Sequence, residues 1–419
     1  MAAKSSIEWT DATWTPLRAR VKMDASAIAA AKGYTSLVQI AEEMTRHVGP
    51  HCERVSAECD HCYSETNNSR CLPSNGTGLP FDRRSRDLVE PFVDEKMLVQ
   101  PLKWRTPKLV FVCSQTDLFG EWYTDKIIDR VFAVMAMCPQ HTFQVLTKRA
   151  GRMREYLADE DRRGSVEDAG GSIEGACYAN TQAGWPLPNV WLGVSAGTQA
   201  AADARIPELL LTPAAVRFAS VEPLLEAVSL APYTFCVECS TGRESLDRSP
   251  CNNRRIDWVI CGGESGSGAR PMHPAWARKL RDDCASAGVP FFFKQFGEWG
   301  TVETILHIQH AQHANKVIVM ETAHSTDRKS VGKQTAWCYP ADSAGEFGPV
   351  ERLAPIGKHR AGRLLDGVEH NALPAYWPAN VGLLKPTAPQ LPPVIQPLST
   401  EEFDDSEFEP QFTDAGFAE

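Results

Sequence analysis

The sequence lacks the features that mark membrane and secreted proteins. No apolar run approaches the roughly 18 residues that a membrane-spanning helix needs. The N-terminal stretch MAAKSSIEWTDATW has no basic segment followed by an apolar one, so it does not resemble a signal peptide. We therefore expect a cytoplasmic protein without a membrane partner. Because thiols stay reduced in that compartment, the 13 cysteines are expected to be metal ligands or buried apolar side chains rather than disulfides.

Basic residues are missing from the C-terminal end of the chain. Residues 400–419 contain eight acidic residues, and removing them from the net charge of -10 leaves -2 for the rest. That balance is compatible with a local basic surface for nucleic acid but does not predict one. A proline-rich stretch precedes the acidic segment, and residues 386–419 together have too little apolar content for a core. We expect a disordered tail there.

The remaining chain alternates between short apolar runs and helical patterns. Near-continuous apolar runs are typical of parallel strands that are covered on both faces. Helical periodicity is clear in residues 125–138 and 274–287. Alternating strands and helices imply a parallel sheet, either closed as a barrel or doubly wound, and we favour the barrel. The predicted strands are residues 7–14, 109–113, 142–146, 190–195, 216–221, 256–261 and 289–293.

The predicted organisation is therefore an α/β protein with a large N-terminal domain. Residues 1–300 are expected to form a (β/α) barrel, complete or incomplete, with insertions near 17–49, 159–188 and 233–255. Residues 301–385 are expected to form an extension that packs on the barrel. Within it, residues 301–357 show no clean periodicity and are expected to form a strand-poor subdomain.

Three cysteines, Cys52, Cys59 and Cys62, follow the first predicted strand with the spacing C-x6-C-x2-C. A structural zinc site uses four protein ligands, whereas a site meant for chemistry keeps one position open. Three thiolates suit a [4Fe-4S] cluster in which three irons have protein ligands and the fourth is free. The free iron can take the amino and carboxylate groups of S-adenosylmethionine.

Polar side chains follow the other predicted strands. In a (β/α) barrel the reactive groups come from loops at the carboxyl ends of the strands. Each of these residues also has a structural interpretation, because polar residues in such loops often cap helices. The candidates in chain order are Ser114, Asp117, Lys148, Ser195, Glu222, Glu264, Lys294 and Gln295.

The cysteine motif CDHCYSE resembles the cluster loop of radical-SAM enzymes. The runs LVFVCSQTDLF, VRFASVEPLL, IDWVICGGESG and VPFFFKQFGEW resemble a phage-associated family of unknown function, which is distantly similar to spore photoproduct lyase. This resemblance covers most of residues 7–300, and GKHRAGRLLDG at 357–367 is similar to the family's C-terminal segment. It implies a TIM-type radical-SAM barrel, a [4Fe-4S] cluster, S-adenosylmethionine and an electron donor such as flavodoxin or ferredoxin. If the chain is phage-encoded, its compartment is the host cytoplasm.

The chain departs from the usual radical-SAM pattern in two places. Most radical-SAM enzymes use C-x3-C-x2-C, so the first spacer here is three residues longer. Their Gly-Gly-Glu element follows the second strand, whereas Gly262, Gly263 and Glu264 come much later in this chain. The glycines of GGESGSG are expected to let the backbone approach a ligand closely.

Residue roles follow from the resemblance by position. Ser114 and Asp117 are expected at the methionine end of S-adenosylmethionine, Ser195 at its ribose, and Tyr63 beside the cofactor. The residues expected to line the substrate pocket are Lys148, Glu222, Lys294 and Gln295.

The expected substrate is a nucleic-acid base or nucleotide. The most specific form of this hypothesis is the isomerisation or rearrangement of a hypermodified thymine in phage DNA. Two alternatives stay open: a DNA photoproduct repair lyase, and a zinc-stabilised nucleic-acid-binding protein that is not an enzyme.

A second group of cysteines, Cys236, Cys239 and Cys251, lies within one insertion. It is expected either to bind zinc or an auxiliary cluster, with Cys261 or a histidine as fourth ligand, or to consist of reduced surface thiols. His51 and His61 flank the first group and either tune a cluster or lie in solvent. The cysteines expected in the core are Cys113, Cys138, Cys284 and Cys338.

Basic and aromatic residues supply candidates for nucleic-acid contacts. Each has a structural alternative, a solvated helix face for the cations and the core for the aromatics. The candidate phosphate contacts are Lys148, Arg149, Arg152, Arg154, Arg83, Arg84 and Arg86. The candidates for stacking on a flipped base are Trp104, Trp122, Phe296 and Trp299.

Overall fold

The computed structural model of the protein describes most of the chain between Ser5 and Pro374. Three sequence predictions fall outside the described residues: the second cysteine group, the burial of Cys338 and the disorder of the acidic tail. The described residues are 5, 7–22, 26, 30, 32–70, 72, 74–173, 184–234, 255–301, 318–320, 329–331, 334–336 and 351–374.

Strands and helices alternate through the described part of the chain. The strands are β1 (Ala12–Trp14), β2 (Leu17–Val21), β3 (Val48–Gly49), β4 (Val89–Val93), β5 (Leu109–Val112), β6 (Thr142–Thr147), β7 (Val190–Ser195), β8 (Val216–Val221), β9 (Trp258–Gly262), β10 (Phe291–Gln295), β11 (Trp299–Thr301), β12 (Ile318–Met320), β13 (Lys329–Val331), β14 (Gln334–Ala336), β15 (Glu351–Pro355), β16 (Leu364–Leu365) and β17 (Val368–Glu369). The α-helices are α1 (Leu37–Arg46), α2 (Tyr63–Ser69), α3 (Arg83–Arg86), α4 (Glu95–Leu98), α5 (Asp125–Met137), α6 (Ala150–Ala158), α7 (Arg162–Gly171), α8 (Gln199–Leu211), α9 (Ala231–Thr234), α10 (Pro274–Ala287) and α11 (Lys358–Ala361). Among these described helices, none has the length and apolarity to cross a membrane.

Seven parallel strands form the central sheet in the order β1-β5-β6-β7-β8-β9-β10. The sheet is curled into a half-barrel and surrounded by helices, so the fold is mixed α/β. From β5 onward each strand of the sheet lies beside the one that precedes it, as expected for successive βα units. The predicted parallel α/β architecture is confirmed at this level. The first strand is shorter than predicted, because only Ala12–Trp14 pairs with β5.

Strand side chains alternate between the two faces of the sheet. The outer face, with residues such as Val145 and Val194, packs against the helices in the larger hydrophobic core. The inner face carries a second cluster rich in aromatic rings, in which Trp191 and Trp258 meet edge to face at 5.9 Å. Because alternate side chains of each strand are buried on opposite faces of the sheet, the strand sequences are continuously apolar.

The two clearest predicted helices are confirmed. In α5 the side chains of Ile128, Val131 and Met135 are fully buried, as their spacing predicts. Helix α10 begins at Pro274, with His273 as its N-cap, and ends at Gly288. Gly288 has a φ of 64°, the left-handed conformation that favours glycine at a helix end.

Two of the predicted insertions contain regular structure. Within residues 17–49, β2 pairs with β3 and with the distant β4 in a three-stranded antiparallel sheet. The polar segment 159–188 contains α7, which packs on α5. Arg162 at the start of α7 is buried and forms ion pairs with Asp125 and Asp129, which offset the poor helix propensity of this glycine-rich segment.

The described pieces of residues 301–355 are strands. Most of residues 301–357 lie outside the described part of the chain, so the strand-poor character of this segment stays a prediction. Strands β11, β15 and β12 form an antiparallel sheet. Farther on, the segment 370–373 lies along the last strand of the half-barrel. The Phe293 amide donates to the carbonyl of His370 (2.8 Å), and Phe292 pairs with Asn371 in antiparallel fashion. Leu373 packs on the inner-face cluster.

Candidate functional site

A cavity of about 550 Å3 lies at the carboxyl edge of the half-barrel. Its floor includes Trp9, Phe111 and Leu146 from the inner-face cluster. Its walls come from the cysteine segment and from residues that follow the strands. The cavity brings together ten of the sequence-predicted site residues: Cys52, Cys59, Cys62, Tyr63, Ser114, Asp117, Lys148, Ser195, Glu222 and Lys294. Gln295 does not line it.

Strand alternation explains this convergence. Residues two apart on a strand share a face, so the residue two places beyond an inner-face position continues that face past the strand end. Lys148 follows Leu146 in this way, and Glu222 follows Ser220. The inner face is therefore aromatic at its floor and polar at its rim.

The cysteine segment forms two short turns. Cys59 ends a 3-10 turn (Ala57–Cys59), in which its amide donates to the Ser56 carbonyl at 2.9 Å. Cys62 is the N-cap of α2, and its amide donates to the Cys59 carbonyl at 3.3 Å. Burial and, to a smaller extent, the nearby Asp117 together raise the pKa of the Cys52 thiol to about 12.

The three thiols share one cavity without meeting at one point. Among the described residues, no three His, Cys, Asp or Glu side chains lie close enough together to hold a single metal ion. Two other cysteines have different places. Cys138 is fully buried in the core, as predicted, and so is Cys284.

A fourth thiol, that of Cys113, also borders the cavity at the end of β5. Its side chain is buried, as predicted, and belongs to the helix-facing core. Burial raises the pKa of this thiol well above its ordinary range, and the thiol is hydrogen-bonded to the backbone of Leu17.

Hydrogen bonds join the cysteine segment to the loop after β5. The Tyr63 hydroxyl donates to the Ser114 carbonyl, and the Ser64 hydroxyl donates to the Gln115 carbonyl at 2.7 Å. The Thr116 hydroxyl donates to the His51 carbonyl at 2.6 Å. These bonds attach the cysteine segment to the loop after β5, and Ser114 lines the cavity together with the three cysteines.

His51 and His61 have different environments. His51 is buried against Phe81 and hydrogen-bonded to the Thr77 hydroxyl (2.9 Å), and it does not line the cavity. Burial lowers its pKa to about 4, so the ring is neutral at pH 7. His61 lines the cavity, and its Nδ1 lies 2.9 Å from Glu264 Oε2.

Glu264 ties the cysteine segment to the loop after β9. Besides His61, Glu264 binds both the Arg270 guanidinium (2.6 and 2.9 Å) and the Arg270 amide (2.8 Å). Arg270 also donates to the Ala57 carbonyl at 2.8 Å. Burial acts to raise the pKa of Glu264, but its bonds to Arg270 and His61 outweigh burial and lower it.

Glu58 makes the corresponding link to the loop after β7. Its carboxylate accepts hydrogen bonds from the Gly197 amide and from the Arg205 guanidinium, each at 2.7 Å. Burial acts to raise the pKa of Glu58, but the positive charges of Lys148 and Arg205 outweigh it and keep the pKa low. The carboxylate is therefore charged at neutral pH.

Asp117 holds the loops after β5 and β6 together. One carboxylate oxygen accepts from the Thr147 hydroxyl (2.7 Å), and the other accepts from the Lys148 amide and the Arg149 guanidinium, both at 3.1 Å. The Phe119 amide donates at 3.0 Å to the same oxygen as the Thr147 hydroxyl. Because both oxygens have protein partners, Asp117 organises the cavity wall more than it offers a free acceptor to a ligand.

Lys148 places a positive charge at the cavity wall. Burial alone acts to lower its pKa, but the neighbouring Cys59, Glu58 and Cys62 outweigh burial and raise it. The ammonium group therefore stays charged beside two of the three cysteines. This supports its predicted place in the pocket.

Glu222 and Lys294 form an ion pair at the cavity wall, with 2.5 Å between Glu222 Oε1 and Lys294 Nζ. Gln295 lies behind the pair, where its amide nitrogen is 3.5 Å from Glu222 and donates to the Gly263 carbonyl at 3.1 Å. Its amide oxygen is buried and has no hydrogen-bond partner among the described residues. Glu222 thus contacts two of the other predicted pocket residues, Lys294 and Gln295.

The glycine-rich run after β9 approaches protein backbone at its second glycine. A Cβ on Gly263 would lie 2.0 Å from the Phe296 carbonyl oxygen, and one on Gly297 would lie 2.0 Å from that of Glu264. These glycines let two loops of the site pack together, so at Gly263 the expected close approach is to protein backbone and not to a ligand.

Most of the candidate phosphate contacts are already paired with carboxylates. Arg149 pairs with the buried Asp117, and Arg154 pairs with Glu208 at 2.5 Å. Arg152 pairs with Asp125, and Arg86 with Glu121. Of the predicted phosphate contacts, only Lys148 and Arg149 line the cavity.

The aromatic residues predicted to stack on a base do not line the cavity. Trp104 and Trp122 pack against the edge of the core, Phe296 is buried against Phe293, and Trp299 donates to the Ala269 carbonyl at 2.7 Å. The aromatic residues at the cavity floor are instead Trp9 and Phe111.

Sequence reasoning missed the residues that hold the site together. Glu58, Arg205 and Arg270 received no role, although Glu58 lies within the unusually long spacer between Cys52 and Cys59. A charged residue inside the predicted metal-ligand segment was the available signal. The two arginines gave none, because their partners in the cysteine segment lie more than a hundred residues away in the chain.

Fold and site together define a mixed α/β half-barrel protein with a cysteine-lined polar cavity at the carboxyl edge of its parallel sheet. The chain belongs to the family described as protein of unknown function (DUF5131), whose family model matches residues 41–374. No curated protein and no solved structure matches the chain. The prediction of an uncharacterised family is therefore confirmed.

Proposed function

We propose that the protein is a radical-SAM enzyme that acts on a nucleic-acid base or nucleotide. One observation carries the proposal: the three thiols of the C-x6-C-x2-C segment border the same cavity as the polar residues that follow the strands. This is the edge at which parallel α/β barrels place their reactive groups.

The donor set fits a [4Fe-4S] cluster. In such a cluster each cysteine binds a different iron, so the thiols must face one cavity but need not meet at one point. Cys52, Cys59 and Cys62 satisfy that requirement. A single zinc ion needs ligands that converge, and no such group exists among the described residues. The cavity volume of about 550 Å3 lies within the range typical of small-molecule sites.

When bound, the cluster and S-adenosylmethionine supply a 5′-deoxyadenosyl radical, which can abstract hydrogen from an unactivated carbon. The chain's own residues bind the cofactor and orient it in the cavity. Ser114 and Ser195 would offer polar groups to the cofactor, and Lys148 would supply a positive charge for an anionic group bound in the cavity. The aromatic floor excludes water from the bottom of the cavity.

The cavity wall also suits a heterocyclic base. Glu222 offers acceptors and Lys294 offers donors beside the planar rings of Trp9 and Phe111. A base in duplex DNA would have to be extruded to reach this cavity. The specific reaction we propose is the isomerisation or rearrangement of a hypermodified thymine in phage DNA, with an electron donor such as flavodoxin or ferredoxin.

Anaerobic purification tests the cluster. We expect about four irons and four sulfides per chain, with the visible absorption of a [4Fe-4S] cluster. The variants Cys52→Ala, Cys59→Ala and Cys62→Ala should each lose the iron, whereas Cys138→Ala, which changes a core thiol away from the cavity, should keep it. A colourless protein with stoichiometric zinc would overturn the proposal in favour of the zinc-binding alternative.

Incubation with S-adenosylmethionine, a reductant and DNA tests the reaction. Isomerisation predicts a nucleoside of unchanged mass and altered retention after digestion of modified phage DNA. Restoration of thymine in ultraviolet-irradiated DNA would instead favour the photoproduct lyase. Loaded enzyme that changes neither DNA would contradict the nucleic-acid substrate.

A further inference from the structure

The long spacer between Cys52 and Cys59 is docked on the half-barrel. Its last residues, Ser56–Cys59, include the 3-10 turn that presents Cys59 to the cavity. Glu58 lies next to Cys59, and its side chain has no exposed surface. A charged side chain that is completely buried needs partners to compensate its lost hydration.

Those partners come from a different part of the chain. Arg205 on α8 donates to Glu58 at 2.7 Å and to the Ser195 carbonyl at 2.9 Å. The Gly197 amide donates to the other Glu58 oxygen at 2.7 Å, and the Ser56 hydroxyl donates to Glu58 at 2.6 Å. Glu58 therefore fixes the turn to the end of β7.

The backbone around Gly197 is shaped for this contact. A Cβ on Gly197 would lie 2.1 Å from the Pro223 carbonyl oxygen and 3.2 Å from Glu58 Cγ. Only glycine lets the loop after β7 lie between the cysteine turn and the loop after β8. Three strand-end loops therefore meet at Glu58.

We propose that Glu58 and Arg205 are positioning residues, which hold Cys59 at the cavity wall and so set its distance from the other two thiols. The extra length of the C-x6-C spacer provides the residue that makes this attachment. The inference rests on the proposed function, because it gives the pair a role toward the cluster that the three thiols would bind.

The first experiment uses the full-length protein without iron. Alkylation of Cys59 by iodoacetamide, followed by mass spectrometry, reports how firmly the turn is held. We expect Glu58→Ala to raise the Cys59 alkylation rate several-fold and Glu58→Gln to raise it less, because glutamine still accepts from the Gly197 amide. The rate at the core thiol Cys138 should not change.

The second experiment measures reconstitution with iron and sulfide. We expect Glu58→Ala to weaken iron retention about tenfold, a typical effect of removing a group that orients metal ligands. The electron paramagnetic resonance signal of the reduced protein should broaden in Glu58→Ala and be largely restored in Glu58→Gln. Loss of stability alone would not alter that spectrum in the folded fraction.

Glu208→Ala is the matched control. Glu208 lies on the same helix as Arg205 and pairs with Arg154, away from the cysteine segment. The Glu208→Ala variant should leave both Cys59 alkylation and iron retention unchanged. Glu58→Ala that folds and matches the wild type in both measurements would overturn the inference.

If Glu58→Ala does not fold, the double variant Glu58→Gln/Arg205→Met decides, because it removes both charges of the Glu58–Arg205 pair together. It should raise the Cys59 alkylation rate more than Glu58→Gln alone, because the bond from position 205 is lost as well, and an unchanged rate would overturn the inference. A wild-type protein that binds no iron would refute the proposed function, while the alkylation result would still show whether the pair positions Cys59.

Discussion

The ammonium group of Lys294 and the carboxylate of Glu222 lie 2.5 Å apart, although their strands, β10 and β8, are separated in the sheet by β9. The pair passes over Gly262 of β9, where a Cβ would lie 3.3 Å from Lys294 Cβ and 3.4 Å from Glu222 Cγ. The absence of a side chain at Gly262 therefore allows an ion pair to bridge two non-adjacent strands at the cavity.

Removing one member of this pair should cost more stability than removing both. Lys294→Met leaves the Glu222 carboxylate unpaired in a largely buried position, and we expect a loss of about 2 kcal/mol in the free energy of unfolding. Glu222→Gln/Lys294→Met should recover part of it. Urea unfolding measures both. The more exposed pair Lys279–Asp283 provides a control, because Lys279→Met should cost under about 1 kcal/mol.

Asp117→Asn should destabilise the fold itself. The change leaves the Arg149 guanidinium, only 8% exposed, facing a neutral amide, and we expect a loss of about 3 kcal/mol. Asp125→Asn changes a carboxylate that is 39% exposed and should cost less. Thermal and urea unfolding provide the comparison. A fully stable Asp117→Asn protein that no longer binds S-adenosylmethionine would show that Asp117 is a cofactor ligand and not a structural anchor.

Cys113→Ala should leave a cluster and its open coordination position intact. Cys113 borders the cavity, but its thiol packs in the helix-facing core. Iron content, sulfide content and the spectral change on adding S-adenosylmethionine should all match the wild type. Loss of iron in this variant would mean that four thiolates bind the cluster, and the radical mechanism would then be excluded.

Gly263→Ala should prevent the loops after β9 and β10 from packing. The new methyl carbon would lie 2.0 Å from the Phe296 carbonyl oxygen, so we expect a loss of more than about 3 kcal/mol. Gly164→Ala is the control, since nothing lies within 4 Å of a Cβ at that exposed position in α7. It should stabilise the protein by about 0.5–1 kcal/mol. Equal stability of the two variants would contradict this account of the site.

The strands of the half-barrel could be predicted because each one is a short apolar run that is visible in the local sequence. Val190–Ser195 and Val216–Val221 match their predicted bounds, and the other strands after β5 shift by one or two residues at an end. The antiparallel partner of Leu17–Val21 could not be predicted, because it lies some seventy residues farther along the chain. Pairing over such a distance leaves no local pattern.

The candidate site, like the fold, could be predicted only in part. Cys52, Cys59, Cys62 and the polar residues at strand ends were found from spacing and position, and the structure brings them to one cavity. Their supporting contacts were not found, because an ion pair such as Glu58–Arg205 depends on how loops fold back on the sheet. The candidate ligands and polar groups could be predicted from residue types, whereas the contacts that attach the loops to the sheet depend on the three-dimensional fold.

The pairing of residues 370–373 with β10 has a consequence for synthesis on the ribosome. Until that segment emerges, β10 presents unpaired amide and carbonyl groups beside an aromatic inner face. An uncovered strand of this kind can pair with another nascent chain. This strand of the half-barrel is therefore covered only after residues 370–373 have been translated.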